Sequence, residues 1–432
     1  MLILVAFQAL LLLLIVSFTT IAARFPLIHR PDNYSFEARM KRDAMRVASL
    51  TRLLAANEAG DDHFSTDLQH IDEYFTEVGV GTPPQTQTLV IDTGSNMLWV
   101  QCQPCDPLCY EQFDPVFDPT KSTSFADVGC DDLNCYKVKE SNRGCDTSRC
   151  TYKYMYGDGT DISGTMAIEN ITIGDTIVPN IIIGCTHTAQ GLLIENQADG
   201  ILGLGSGALS VMSQSGGLIG GMFSYCLSNS TTGGGWLEFG RTNVSRDNVR
   251  WASLINNPKH PSFYYIDLVG LSVAGEVLNI SEDVFQINQE TGEGGVVLDT
   301  GTVVTWLAEV VEVVYVALRD KFREKMVNYD MIDGVSIFDT CYNRGEVDLN
   351  KAPTVSFNFL SQGFDPASIT LEATNVLYEV DYTENVCLAF APSLVSLSII
   401  GNMHQQGIQI TIDAAAGYVG FGSGLCLLPM DP

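Results

Sequence analysis

The hexapeptide Val90-Ile91-Asp92-Thr93-Gly94-Ser95 recurs 207 residues later as Val297-Leu298-Asp299-Thr300-Gly301-Thr302. In each copy an apolar, strand-like run ends at an acid, where a buried strand would otherwise continue. One such Asp could be a buried turn former whose carboxylate accepts backbone N–H bonds. Two in one register are another matter, because D-T-G-[ST] arises by chance only about once in several tens of thousands of positions. A second echo pairs Ile201-Leu202-Gly203 with Ile399-Ile400-Gly401. The chain therefore reads as two similar β lobes, joined near residues 250–262, where NNPKHPS is rich in turn formers.

Composition supports that class. A chain of 432 residues exceeds the usual single domain, and its 46% hydrophobic content excludes a disordered one. Alternating runs such as YFTEVGVG, YKYMYGDG, MAIENITIG and IQITIDAAAGYVGFG are bounded by Gly, Pro, Asn and Asp. One long helix is expected from Leu307 to Lys325, directly after the second acidic motif. The formal net charge of −28 argues against nucleic acid and anionic membrane as partners and suggests work at low pH.

The duplicated motif also has a chemical reading. If the lobes face each other across a pseudo-two-fold axis, Asp92 and Asp299 meet in a cleft. Two carboxyl groups a few ångströms apart do not both ionise readily, so they share one proton and titrate as a unit. The ionised member can take a proton from a bound water while the protonated one hydrogen-bonds a carbonyl and steadies the oxyanion. Such hydrolysis needs no metal and no cofactor. Gly94 and Gly301 let backbone N–H groups approach the acids, the hydroxyls of Thr93 and Thr300 can tie the two loops together, and Ser95 and Thr302 can add outer hydrogen bonds.

The N-terminal run MLILVAFQALLLLLIVSFTTIAA is expected to be a signal peptide over residues 1–23, cleaved near Ala22 or Ala23. A retained anchor is the alternative, since Arg24 and Arg30 follow the run and no basic residue precedes it. Secretion makes disulfides the reading for the twelve cysteines. The alternatives are zinc or redox chemistry at Cys102-Gln-Pro-Cys105 or at the cluster Cys130, Cys135, Cys145 and Cys150. Sequons at Asn33, Asn170, Asn229, Asn243 and Asn279 fit a secreted glycoprotein.

Residues 24–69 differ from everything downstream. Arg24, Arg30, Arg39, Lys41, Arg42, Arg46 and Arg52 outnumber the acids up to about Asp62, and Met40, Ala44, Val47, Leu50 and Leu54 recur at helical spacing. A removable pro-segment with a basic helix is expected, held by charge against the acidic lobes of residues 70–255 and 256–432.

With these motifs in place, the chain resembles the pepsin-type aspartic endopeptidases, and within them the plant nepenthesin-like branch. The resemblance covers essentially the whole chain. It implies a mostly β, bilobal fold with Asp92 and Asp299 catalytic, and a basic side chain of the pro-segment set near both acids. Tyr156-Gly157-Asp158 in YMYGDGT would form the tip of a flap over a peptide or protein substrate, and Trp99 would hydrogen-bond the flap tyrosine. The Cys102–Cys150 stretch resembles the cysteine-rich insert of that branch. By the same resemblance the bridges would be Cys102 with Cys105, Cys109 with Cys185, Cys130 with Cys150, Cys135 with Cys145, Cys226 with Cys426, and Cys341 with Cys387. A secreted, monomeric enzyme of the apoplast is implied, with a vacuolar or anchored form as the alternative. A non-catalytic inhibitor or binding protein on the same fold is the rival reading. His187 and His404 show no metal spacing, and neither Ser95 nor Ser206 lies in a GxSxG context.

Overall fold

The structure, a computed structural model, describes residues 23–30, 40–48, 73–156, 159–191, 197–216, 219, 221–228, 234–240, 249–308, 314–360, 367–380, 383–393, 395–423 and 426. The expected signal run up to residue 22 therefore lies outside the described residues, as do Asn33, Asn229 and Asn243. Among the described residues no helix is long and apolar enough to cross a membrane.

Strands dominate, and the two halves repeat one arrangement. In the first, Gln85–Asp92 pairs in parallel with Gly200–Gly203, setting Leu202 beside Ile91 and Gly203 beside Asp92. Gly200–Gly203 also pairs antiparallel with Trp99–Gln101. In the second half, Val296–Leu298 pairs in parallel with Ser398–Ile400, which pairs antiparallel with Thr305–Ala308. Each acid thus leaves a strand wedged between others, which is why Thr86-flanked Gln87 to Asp92 is buried without a break instead of alternating. The apolar-apolar-Gly triplets serve the same close approach: a Cβ on Gly203 would meet Asn96 C at 2.3 Å, and one on Gly401 would meet Val304 O at 2.3 Å.

One large sheet joins the halves. Met222–Leu227 pairs antiparallel with Ile408–Asp413, while Val249–Ile255 pairs with Tyr418–Ser423 on one side and Tyr265–Ile266 on the other. The basic N-terminal segment contributes strands to the sheets of the first half. Ala23–Pro26 adds an edge strand against Gly235–Phe239, with Arg24 ion-paired to Glu238 at 3.0 Å, and Ile28–Arg30 pairs with Glu73–Val80. A helix follows at residues 40–48.

The long helix is shorter than expected. Thr305–Ala308 is a strand, parallel to Phe390–Ser393, and the described helix spans Val314–Lys325. Thr305 to Ala308 is buried at every position, in a run that opens with β-branched Val303, Val304 and Thr305, so the strand wins there. The helix buries Val314, Tyr315, Leu318 and Phe322 along one stripe.

All twelve cysteines are bridged, but four pairings differ from those the resemblance implied. Cys102 joins Cys185, not Cys105, because Val100 is in parallel register with Cys185 and the chains run on side by side, leaving 5.3 Å between Cα atoms. Cys105 is then left in the exposed loop and joins Cys109, not Cys185. The antiparallel hairpin sets Cys145 opposite Cys150, and the preceding segment crosses it so that Cys130 joins Cys145 and Cys135 joins Cys150. The nested pairing Cys130–Cys150 with Cys135–Cys145 does not occur. Cys226–Cys426 and Cys341–Cys387 complete the set. Of the described sequons, Asn279 is exposed, while the Asn170 side chain donates to Thr82 Oγ1 at 3.1 Å.

Candidate active site

The two Asp-Thr-Gly loops meet, and their threonines interlock. Thr93 N–H donates to Thr300 Oγ1 at 3.1 Å and Thr300 N–H to Thr93 Oγ1 at 3.0 Å. Each hydroxyl in turn donates across the junction, Thr300 to Ile91 O at 3.1 Å and Thr93 to Leu298 O at 3.3 Å. Four bonds between buried groups pin the loops with little freedom to separate.

This brings Asp92 and Asp299 together, each only 2% exposed. Gly94 N–H donates to Asp92 Oδ1 at 3.0 Å and Gly301 N–H to Asp299 Oδ1 at 3.1 Å. The outer bonds are unequal. Thr302 Oγ1 donates to Asp299 Oδ2 at 2.5 Å, whereas Ser95 Oγ and Asp92 Oδ2 make no hydrogen bond among the described residues.

Arg46, from the helix at residues 40–48, fills the space between the acids. Its Nη2 donates to Asp92 Oδ1 at 2.7 Å and to Asp299 Oδ1 at 2.9 Å, and its Nε donates to Asp299 Oδ2 at 2.8 Å. The loop glycines make room for it: a Cβ on Gly301 would lie 2.5 Å from Arg46 Nη2, and one on Gly94 2.6 Å. Burial alone would raise the Asp299 carboxyl, but the Arg46 charge and hydrogen bonds, with those of Thr302 and Gly301, hold it below the usual range.

One turn before Arg46, Asp43 is fully buried and accepts from Val303 N–H at 2.6 Å, Val304 N–H at 3.2 Å and Trp306 Nε1–H at 2.7 Å. Burial pushes its carboxyl up to about 6 against the pull of these bonds and of Arg46. Met40 and Val47 of the same helix belong to one buried apolar cluster with Val303, Val304, Trp306 and Leu397. Asp43 and Trp306 escaped the sequence reading. Trp306 had a signal, since it lies seven residues beyond Asp299 as Trp99 lies seven beyond Asp92. Asp43 had none.

Tyr156 ends the strand Arg149–Met155, and its hydroxyl accepts from Trp99 Nε1 at 2.8 Å. Burial drives its phenol well above the ordinary value, with the Asp92 charge adding to the effect. Tyr156 N–H bonds Thr160 O at 2.7 Å, closing a turn whose tip, Gly157 and Asp158, lies outside the described residues. A Cβ on Gly159 would sit 3.6 Å from Cε of Met45, so this hairpin rests on the same helix. His187 bonds Pro104 O and Thr165 Oγ1, away from the acids, and burial lowers the buried His404 to about 3.

The lobes match two family descriptions, Xylanase inhibitor N-terminal over residues 74–241 and Xylanase inhibitor C-terminal over residues 263–423. Protein ASPARTIC PROTEASE IN GUARD CELL 2 of Arabidopsis thaliana is 44% identical, across 93% of this chain and 86% of its own. Aspartic proteinase nepenthesin-1 of Nepenthes gracilis is 34% identical, across 82% of this chain and 78% of its own. In fold, the chain resembles the crystal structure of edgp, with a TM-score of 0.71 at 18% identity over 95% of this chain and 96% of that one. An interlocked pair of Asp-Thr-Gly loops, on a mostly β bilobal scaffold with relatives of this kind, makes the chain a member of the pepsin-type aspartic protease family, in its nepenthesin-like plant branch.

Proposed function

We propose that this chain is the precursor of a secreted aspartic endopeptidase, with Asp92 and Asp299 as its catalytic pair and residues 24–69 as a pro-segment that blocks them. The observation that carries this is the position of Arg46, whose guanidinium is hydrogen-bonded to both acids at once. Once Arg46 leaves, two buried carboxyl groups remain side by side and share a proton, as the acids of aspartic proteases are known to do. The ionised member then takes a proton from water as that water attacks the peptide carbonyl, and the protonated member donates to the developing oxyanion. Tyr156, oriented by Trp99, closes over the bound chain and orders it. Six disulfides fit an oxidising compartment, the apoplast or vacuole.

The family descriptions raise the inhibitor reading. Relatives at 34–44% identity carry protease names, and both acids here keep the hydrogen-bond support a catalytic pair uses, which favours the enzyme. The deciding experiment exposes purified precursor to pH 3–6 and follows hydrolysis of a peptide library. We expect acid-dependent cleavage, lost by at least about a thousandfold in Asp92→Asn and Asp299→Asn proteins that still fold, the scale of a lost proton-transfer role. Equal turnover by either variant overturns the assignment.

A further inference from the structure

The apolar-apolar-Gly triplets beside the two acids are equivalent in the repeat, yet the residues after them serve the two loops differently. In the first half the backbone supplies the donor: Leu204 N–H donates to Asp92 O at 2.8 Å. In the second half Asn402, the counterpart of Leu204, turns its N–H to Thr302 O at 2.7 Å, and the carbonyl of Asp299 accepts instead from Gln405 Nε2 at 3.3 Å. Asn402 Nδ2 donates to the next carbonyl, Thr300 O, at 3.1 Å. Leu204 has no side-chain donor to offer the first loop. Gln405 is itself held, since its Nε2 also donates to Ile400 O at 2.8 Å and its Oε1 accepts from the Tyr225 hydroxyl at 2.6 Å. Only the amide nitrogen can donate to two carbonyls, which fixes the side chain's orientation. Asn402, Gln405 and Tyr225 are all buried.

We propose that Asn402 and Gln405 are positioning residues for Asp299, which clamp the two peptide units of the second Asp-Thr-Gly loop by their carbonyls; this rests on the protease reading of the acid pair. A peptide unit is planar, so a donor that fixes its carbonyl also fixes the direction of its N–H. The 299–300 unit takes Gln405 at its carbonyl and gives its N–H to Thr93 Oγ1 at 3.0 Å, one of the bonds that lock the loops together. The 300–301 unit takes Asn402 at its carbonyl and gives its N–H to Asp299 Oδ1 at 3.1 Å. Donation to the carbonyl also polarises the amide and strengthens the bond its N–H makes. Each clamp therefore acts on Asp299 through one amide, and bonds of this kind favour the ionised carboxylate. The charged and titratable groups around Asp299 are Asp92, Arg46 of the docked segment, and Tyr225, whose phenol burial pushes well above its ordinary value with the Asp299 charge adding to the effect. His404, beside Gln405, bonds Thr305 Oγ1 at 2.5 Å and is lowered by burial to about 3. Replacing Asn402 or Gln405 removes none of these groups.

The test uses two variants that keep side-chain size and remove the donor. Asn402→Leu copies the residue at this place in the first half, and Gln405→Met keeps the length of the chain. In converted enzyme each should lower kcat about tenfold with KM nearly unchanged. Each should also move the acid limb of kcat/KM against pH upward by about half a unit, a share of one hydrogen bond, because the ionised carboxylate loses support. A purely structural role would lower the thermal midpoint and leave the limb in place, and that result overturns the proposal. So does failure of both variants to fold; if one folds, it decides. Carboxyl-carbon NMR titration of Asp92→Asn precursor reads the clamp without turnover, with Asp299 assigned by the signal lost on adding Asp299→Asn. Adding Asn402→Leu should move the Asp299 titration upward by a similar amount. That shift, with no cleavage by the unsubstituted protein, would count against the protease reading alone, and its absence overturns the positioning role.

Discussion

Arg46 and Asp299 are joined twice, Nε to Oδ2 at 2.8 Å and Nη2 to Oδ1 at 2.9 Å, a planar fork that a lysine could not reproduce. The third bond, to Asp92, makes the guanidinium a plug shared by both lobes. Arg46→Lys should therefore weaken the plug, and Arg46→Ala should remove it. Each charge-assisted bond is worth about 1.5–3 kcal/mol, so we expect Arg46→Ala precursor to convert at least about tenfold faster at pH 5. Conversion at the unsubstituted rate, followed by gel and by N-terminal sequencing, would show that another contact holds the segment.

Asp43 and Asp299 should pull the pH response in opposite directions. The docked Asp43 carboxyl sits at about 6 and an undocked one near 4, so its support of docking is complete below about pH 4 and fades as the pH rises through 6. Asp299 is held low while Arg46 is in place, so its support is complete above the ordinary carboxyl range and fails as the pH falls through the depressed value. If the segment is released on acidification, Asp299 should drive that release and Asp43 resist it. Asp43→Ala should speed conversion by a larger factor at pH 4 than at pH 7, and a factor larger at pH 7 would contradict the assignment.

The Trp99–Tyr156 bond should act as a unit. Tyr156→Phe deletes the acceptor of the indole N–H, and Trp99→Phe deletes the donor. Each should lower kcat of the converted enzyme by roughly tenfold with a smaller change in KM, because ordering of the closed state is what is lost. The double variant should be scarcely worse than either single one. Additive losses would mean the two residues work independently.

Peptide mapping of the unreduced protein should recover Cys102 linked to Cys185 and Cys105 linked to Cys109. It should also recover Cys130 linked to Cys145 and Cys135 linked to Cys150. A Cys102–Cys105 fragment would contradict the strand register between Val100 and Cys185.

The sequence by itself determined the duplication, the β class and the two acids, because these are written locally: an Asp-Thr-Gly repeat, period-two apolar runs and turn residues survive in a one-dimensional reading. It also marked residues 24–69 as chemically foreign to the acidic body. What it left open depends on distances between remote segments. Four cysteines within twenty-one residues, Cys130 to Cys150, admit three pairings, and only the crossing of the 130–135 segment over the hairpin selects one. Among the basic residues near position 40, composition cannot distinguish Lys41, which is exposed, from Arg46, which reaches both acids, since helix phase against the cleft decides it. Asp43 was least visible of all, a lone acid in a basic stretch, whose partners are two backbone N–H groups and an indole some 260 residues away. Backbone donors leave no signature in side-chain identity, so only the tertiary structure could supply them.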